Sequence, residues 1–198
     1  MRGPVYWHPA VYQLAMRRLY GAAGFAERYR AVAQQVPPGA DVVDLCAGDG
    51  LLRHHLPPGT PYLAVDMNTT VLRALQKDGV PTMTADLRRT VPRGDCIIMM
   101  ASLYHFAPDQ AAMVRRCLDA AGRRLILTEP VENVTASRNP LIARLSGWIS
   151  DPGDGSSHQR LGPADLEKLL EEVPGGRVVH RAREWVLVWD KAPVAPER

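Results

Sequence analysis

The sequence predicts an α/β fold: a doubly wound, seven-stranded, mostly parallel sheet with helices on both faces and an antiparallel last strand. Three observations carry that expectation. Short apolar runs alternate with helical stretches through the first two thirds of the chain, the rhythm of consecutive βαβ units. The runs are apolar nearly throughout, as strands buried on both faces are. The final two runs, RVVHRA and WVLVWD, lie only a few residues apart; so short a link cannot hold a crossover helix, so this pair is antiparallel.

Each element has a local reason. Residues 9–20 (PAVYQLAMRRLY) and 24–36 carry apolar side chains at helical spacing, the first opening at Pro9 and the second stopped by Pro37-Pro38-Gly39, where proline removes a donor and fixes φ. Strands follow at 41–46, 61–66, 81–86, 95–102 and 123–130, each bounded by turn residues. Helices are predicted at 68–77 and at 108–121, the latter from Pro108 to a stop at Gly122, then near 140–150 and 163–173, each starting on a proline. The tail KAPVAPER reads as loose.

Composition bounds the rest. At 198 residues and 46% hydrophobic content, one sizeable core and a single domain over 1–198 are expected. Within it, 1–36 forms an N-terminal helical lid, 37–130 a cofactor-binding half, 131–162 an acceptor-side insertion, 163–190 the last helix and strand pair, and 191–198 the tail. No apolar run reaches the roughly 18 residues of a membrane span, and the start MRGPVYWHPA lacks a secretory apolar core; a cytoplasmic protein is expected, monomer or homodimer. Cys46, Cys96 and Cys117 are odd in number and unpaired in spacing, which argues against disulfides or a zinc site. His54-His55 has no further ligand at helical spacing, so no metal is expected. The net charge of +3 comes mostly from arginine with no dense basic block, which does not suggest nucleic acid as a partner.

The richest stretch is VVDLCAGDG, residues 42–50. Strand-formers stop at Asp44, and the chain then turns through Gly48 and Gly50. In open parallel sheets the first strand's glycine turn is where backbone and ligand approach closest. A dinucleotide loop of the GxGxxG kind competes here with a loop for another adenosine-containing cofactor. The third glycine is replaced by Arg53, and Asp49 inside the turn would repel a pyrophosphate but welcome a cation.

These residues resemble the first motif of the class I S-adenosylmethionine-dependent methyltransferases, D/E-x-G-x-G-x-G, read here as Asp44-Leu45-Cys46-Ala47-Gly48-Asp49-Gly50, with Cys46 in place of the first glycine. The resemblance implies a Rossmann-like fold and S-adenosylmethionine as cofactor. It implies that the turn residues Cys46, Ala47, Gly48, Asp49 and Gly50 hold the methionine part and that Asp44 serves its ammonium, directly or through water. Asp66, ending the second strand, would grip the ribose hydroxyls with Met67 covering the adenine; Asp86, with Leu87, would accept from the adenine amino group. A helix N-cap is the plainer role for each acid, since each precedes a helical stretch.

The fourth strand runs into Ala101-Ser102-Leu103-Tyr104-His105-Phe106, similar to the segment that flanks the transferable methyl in small-molecule members; the N/D-P-P-Y/F signature of base and glutamine amino methyltransferases is absent. The resemblance therefore implies cofactor contacts at Ala101 and Ser102 and a small-molecule acceptor. For methyl transfer to a hydroxyl or protonated amine a base must take a proton, and His105, titratable near neutrality, is the first candidate, with Tyr104 orienting the acceptor. His105 equally suits a helix cap at Pro108 or a wall of the adenine pocket. Glu129, before Pro130, and the stretch from His158 through Arg160 to Leu166 are similar to segments of the same group, which makes Glu129, His158 and Arg160 acceptor-side candidates. Tyr6, Trp7 and Tyr12 concentrate aromatics before the first strand and could embrace an acceptor, or simply pack a helix on the sheet. An RNA or protein methyltransferase and a non-catalytic S-adenosylmethionine-binding partner subunit remain the alternatives.

Overall fold

The computed structural model describes residues 24–131 and 161–191. The expected helices at 9–20 and 140–150, most of the insertion, the tail after 191, and the candidates Tyr6, Trp7, Tyr12, His158 and Arg160 lie outside the described residues.

A helix over residues 24–33 (α1) leads into the sheet. The strands are β1 (Val42–Leu45), β2 (Tyr62–Asp66), β3 (Thr82–Thr84), β4 (Gly94–Met100), β5 (Ala121–Pro130), β6 (Gly176–Arg181) and β7 (Glu184–Asp190), in the order β3-β2-β1-β4-β5-β7-β6. The first five pair in parallel, and β7 runs antiparallel to both β5 and β6. The expected antiparallel pair is therefore present. Among the described residues three further helices follow: α2 (Thr69–Lys77), α3 (Gln110–Ala120) and α4 (Pro163–Glu172).

Alternation along the strands divides the core between the two faces. Val42, Cys96, Ile98, Ile126, Val186 and Val188 pack with Phe25, Tyr29 and Val32 of α1. Val43, Leu45, Ile97, Met99, Leu125, Leu127 and Leu187 pack with Met113, Val114 and Cys117 of α3 and Leu166 and Leu169 of α4. Each such fully buried aliphatic side chain contributes about 1.5–3 kcal/mol relative to exposure. Trp185 and Trp189 join the second layer, and Trp189 Nε1 donates to the Val173 carbonyl at 3.0 Å. All three cysteines are free, and burial pushes the thiols of Cys96 and Cys117 up to about 12.

Helix α2 shows why its bounds fall where they do. The Asn68 side chain accepts from Thr70 N at 3.0 Å, which satisfies an orphan donor of the first turn. At the other end Gly79 takes φ +74°, Gly79 N donates to Gln76 O and Val80 N to Leu75 O, both at 3.0 Å, a Schellman stop.

The ends of other elements differ from expectation. The α1 pattern breaks at 33, because Gln35 and Val36 donate to Val32 and Ala33, tightening the last turn before Pro37. Gly122 does not stop α3. The chain passes directly from Ala120 into β5, with Ala121 extended and paired with Gly94, so Gly122 lies inside the strand. Pro108 does not open α3 either: residues Leu103–Phe106 form a 3-10 turn, Phe106 O accepts from Asp109 N at 2.7 Å, and the helix begins at Gln110. β3 ends at Thr84, so Asp86 lies two residues beyond the ladder. Among the described residues no helix is long and apolar enough to cross a membrane.

Candidate functional site at the carboxyl edge of the sheet

Parallel pairing brings the carboxyl ends of β1, β2, β3, β4 and β5 to one edge, and most of the described candidate residues stand along it. The centre is the turn after β1. Cys46, Gly48 and Gly50 take φ of +56°, +54° and +62°, so three of five consecutive residues adopt the left-handed conformation that glycine tolerates and other residues do not. The resembled motif has glycine at all three; here the first keeps the glycine conformation with a cysteine in it. At Gly48 a Cβ would meet nothing within 4 Å, so the backbone there faces open space. At Gly50 a Cβ would stand 2.9 Å from Leu75 Cδ2.

Asp66 braces this turn. Its Oδ2 accepts from Gly48 N at 3.0 Å and its Oδ1 from Asn68 N at 2.8 Å. Asn68 caps α2, so Asp66 is not the helix cap. Ala47 N donates to Val65 O at 3.1 Å and Gly50 N to Ala47 O at 2.9 Å, closing the turn against β2. Asp49 Oδ1 accepts from Leu51 N at 3.3 Å. Met67, next to Asp66, is 62% exposed, an apolar side chain held out at the rim. Asp86 Oδ1 accepts from Arg88 N at 2.9 Å, in a turn that no helix follows, and Leu87 beside it is buried. The backbone links this turn to β2 through Ala85 N donating to Asp66 O.

Asp44 sits deeper than its neighbours. It is buried, and its Oδ2 accepts from Tyr62 Oη at 2.5 Å. Burial pushes its carboxyl up to about 7, the Tyr62 hydrogen bond opposes that, and the charges of Asp49 and Asp66 add to it. Burial also pushes the Cys46 thiol up, so it is not a nucleophile at neutral pH.

β4 continues the edge. Ala101 takes φ +48°, a second non-glycine residue in the left-handed region, with its N–H donating to Thr128 O at 2.7 Å. Cys46 directly follows β1 and Ala101 directly follows the neighbouring β4, so backbone strain concentrates at the adjoining exits, where ligand-binding edges commonly store it. Ser102 Oγ donates to Met100 O at 2.9 Å. The following 3-10 turn carries Tyr104, buried, with its ring tilted against His105 at a centroid distance of 4.0 Å. Asp109 stands at the N-cap of α3, so His105 does not cap it. Glu129 is buried and its Oε1 accepts from Leu103 N at 2.6 Å, holding the turn from within.

Three groups in or near this site were not singled out in the sequence. Tyr62 stands two positions before Ala64, which pairs with Asp44, so strand alternation alone puts it on the Asp44 face. Arg88 links the Asp86 turn to the His105 turn through its Nη2, which donates to His105 O at 2.6 Å. Further along, Arg28 of α1 and Glu184 of β7 form a buried ion pair, Nε to Oε2 at 2.8 Å, and Thr128 Oγ1 also donates to Glu184. That pair, with Glu27, His180 and Arg183, lines a half-open pocket of about 260 Å³ between α1 and the β6–β7 hairpin. Among the described residues no group of three His, Cys, Asp or Glu could hold a metal ion.

No protein-family model and no curated protein matches the sequence. Solved structures do. Magnesium protoporphyrin IX methyltransferase from Synechocystis PCC 6803, with bound SAH, is similar at a TM-score of 0.61 and 19% identity, over 89% of this chain and 93% of that one. The mitomycin 7-O-methyltransferase MmcR matches at 0.61 and 16% identity over 94% of this chain, which spans 59% of MmcR. The glycopeptide N-methyltransferase MtfA matches at 0.57 and 17% identity, over 82% of this chain and 88% of that one. At these identities the likeness is one of architecture: this chain has the seven-stranded Rossmann-like fold of those methyltransferases.

Proposed function

We propose that this protein transfers a methyl group from S-adenosylmethionine to a small-molecule acceptor, releasing S-adenosylhomocysteine. The observation that carries this reading is Asp66 at the β2 exit, bracing Gly48 with one carboxylate oxygen and followed by the exposed Met67. Each Asp66 oxygen accepts one backbone N–H and keeps a lone pair, so the two can accept a pair of ribose hydroxyls. Met67 offers an apolar surface to an adenine, and the open space over Gly48 admits the amino-acid part. The carboxylates of Asp49 and Asp66 favour a cation over a pyrophosphate.

Bound S-adenosylmethionine would supply a methyl carbon activated by its sulfonium. The chain's task is alignment and exclusion of water, and orientation of this kind contributes roughly 7–11 kcal/mol. With β1–β3 occupied by cofactor groups, the acceptor belongs on the β4–β5–β7 side, beside Tyr104, His105 and Glu129. A hydroxyl acceptor would give up its proton to a base as it attacks, whereas a protonated amine would have to lose a proton to that base first, to free its lone pair; such proton transfer is worth about 10² to 10⁴ in rate. His105 is that base in this reading, with Tyr104 packed against it. The three methyltransferases of like fold, named for porphyrin, mitomycin and glycopeptide acceptors, support a small acceptor.

The test is calorimetry with S-adenosylhomocysteine and NADH, followed by product detection against pools of hydroxylated and amino metabolites. Micromolar binding of S-adenosylhomocysteine with none of NADH is the expected result; the reverse order of affinities overturns the reading. Product formed with a pool and lost in His105→Ala together with Tyr104→Phe assigns the acceptor side. Cofactor binding with no product from any pool would instead indicate a partner subunit.

A further inference from the structure

Arg88 stands two residues past Asp86 and touches three segments at once. Its backbone N–H donates to Asp86 Oδ1 at 2.9 Å. Its Nη2 donates to the His105 carbonyl at 2.6 Å, and its guanidinium lies 5.2 Å from the centre of the Phe106 ring. Its own carbonyl accepts from Arg116 Nη1 of α3. An exposed arginine normally leaves its head in water; here the head is spent on a backbone oxygen of the 3-10 turn that carries Tyr104 and His105. Glu129 takes the Leu103 N–H of that turn from within. One carboxylate and one guanidinium therefore hold the same four residues from opposite sides, through charge-assisted hydrogen bonds.

We propose that Arg88 is a positioning residue that makes the Asp86 turn and the Tyr104–His105 turn a single unit, so that filling the adenine side orders the acceptor side. This rests on the cofactor reading above. The Asp86 carboxylate has its position fixed by Arg88 N, and any group bound at Asp86 restrains residues 86–88. The Arg88 side chain carries that restraint to the His105 carbonyl 17 residues away in sequence. His105 is then steadied by a contact to its backbone carbonyl.

Amide hydrogen exchange over residues 103–107, with and without S-adenosylhomocysteine, tests this in the wild type, in Arg88→Met, which keeps the stem against Phe106, and in Arg88→Lys, which keeps one charged donor. Calorimetry on the same samples gives occupancy. The ligand is expected to slow exchange of the turn at least tenfold in the wild type and less than threefold in Arg88→Met at equal occupancy, with Arg88→Lys between them. Equal ligand protection in wild type and Arg88→Met overturns the inference, because a merely structural arginine would speed exchange alike in both states. Absence of protection in a wild type that binds the ligand overturns it too. A wild type that takes up no S-adenosylhomocysteine removes the cofactor reading itself.

Discussion

Tyr62 Oη donates to Asp44 Oδ2 at 2.5 Å, joining β1 and β2 beneath the glycine turn. The bond satisfies one oxygen of a carboxylate that burial holds near 7 rather than at its ordinary 3.8. A folded value above the unfolded one means that the folded state retains the proton longer. The contribution of Asp44 is therefore fully present below about 4, and stability declines as pH rises towards about 7, by at most about 1.4 kcal/mol per pH unit. Urea unfolding at pH 5 and pH 7.5 should show this decline in the wild type and a flatter dependence in Asp44→Asn. Tyr62→Phe removes the donor that opposes the shift, so its window should extend to higher pH. A wild type equally stable at both values would show that Asp44 is ionised throughout.

Asp66→Ala removes the acceptors of both Gly48 N and Asn68 N. It therefore releases the turn and takes away the ribose partner together. Hydrogen bonds to charged groups are worth about 1.5–3 kcal/mol, so S-adenosylhomocysteine binding should weaken by about 10- to 100-fold in calorimetry. Asp66→Asn, which keeps one acceptor oxygen, should lose less. Unchanged affinity in Asp66→Ala would put the ligand elsewhere.

The alternation of apolar runs made the sheet legible, and the short link before β7 made its direction legible, because both depend on period and length alone. The strand-end acids were legible as positions but not as partners. That Asp44 meets Tyr62 instead of water depends on the diagonal between β1 and β2, which needs the register of Val42 with Tyr62. A helix cap was the plainer alternative for Asp66 in the sequence; Asn68 has that role because its side chain reaches Thr70 N. Gly122 looked like a helix stop, yet Ala121 already pairs with Gly94 and the ladder decides. The Arg28–Glu184 pair joins residues 156 apart, and no local pattern announces such a contact.

Cys46 holds φ +56°, where a Cβ costs about 1–2 kcal/mol. Cys46→Gly relieves that strain while loosening the unfolded chain and deleting a sulfur packed against the core. The opposing terms should leave stability within about 1 kcal/mol of the wild type. Cys46→Val, β-branched in the same conformation, should lose at least about 2 kcal/mol. Urea denaturation of the two variants decides it: equal losses would mean that the turn relaxes and stores no strain.

A Cβ on Gly176 would stand 2.3 Å from Trp189 Cε2 and 2.6 Å from Leu170 Cδ2. Trp189 has no room to withdraw, since it is buried and its Nε1 is engaged with Val173 O. Gly176→Ala should therefore cost about 1–3 kcal/mol, the range of overpacked cores, and red-shift tryptophan emission as β6 parts from β7. A melting temperature unchanged from wild type would show that β6 slides without penalty.

The Arg28–Glu184 pair ties α1 to the start of β7, with both side chains about 95% buried, and Thr128 Oγ1 adds a donor from β5. Charges so placed cost much to desolvate, and their attraction roughly repays that cost, so the pair as a whole adds little net stability. Removing one member is different, because the other is left buried and charged. Arg28→Met should lose about 3–5 kcal/mol. Arg28→Met with Glu184→Gln should recover most of it, since the amide oxygen still accepts from Thr128 and no charge remains. Urea unfolding of the single and double variants measures the difference. A double variant no better than Arg28→Met would mean that the arginine acts through packing of its stem against the β6–β7 hairpin, and that charge contributes nothing to the join.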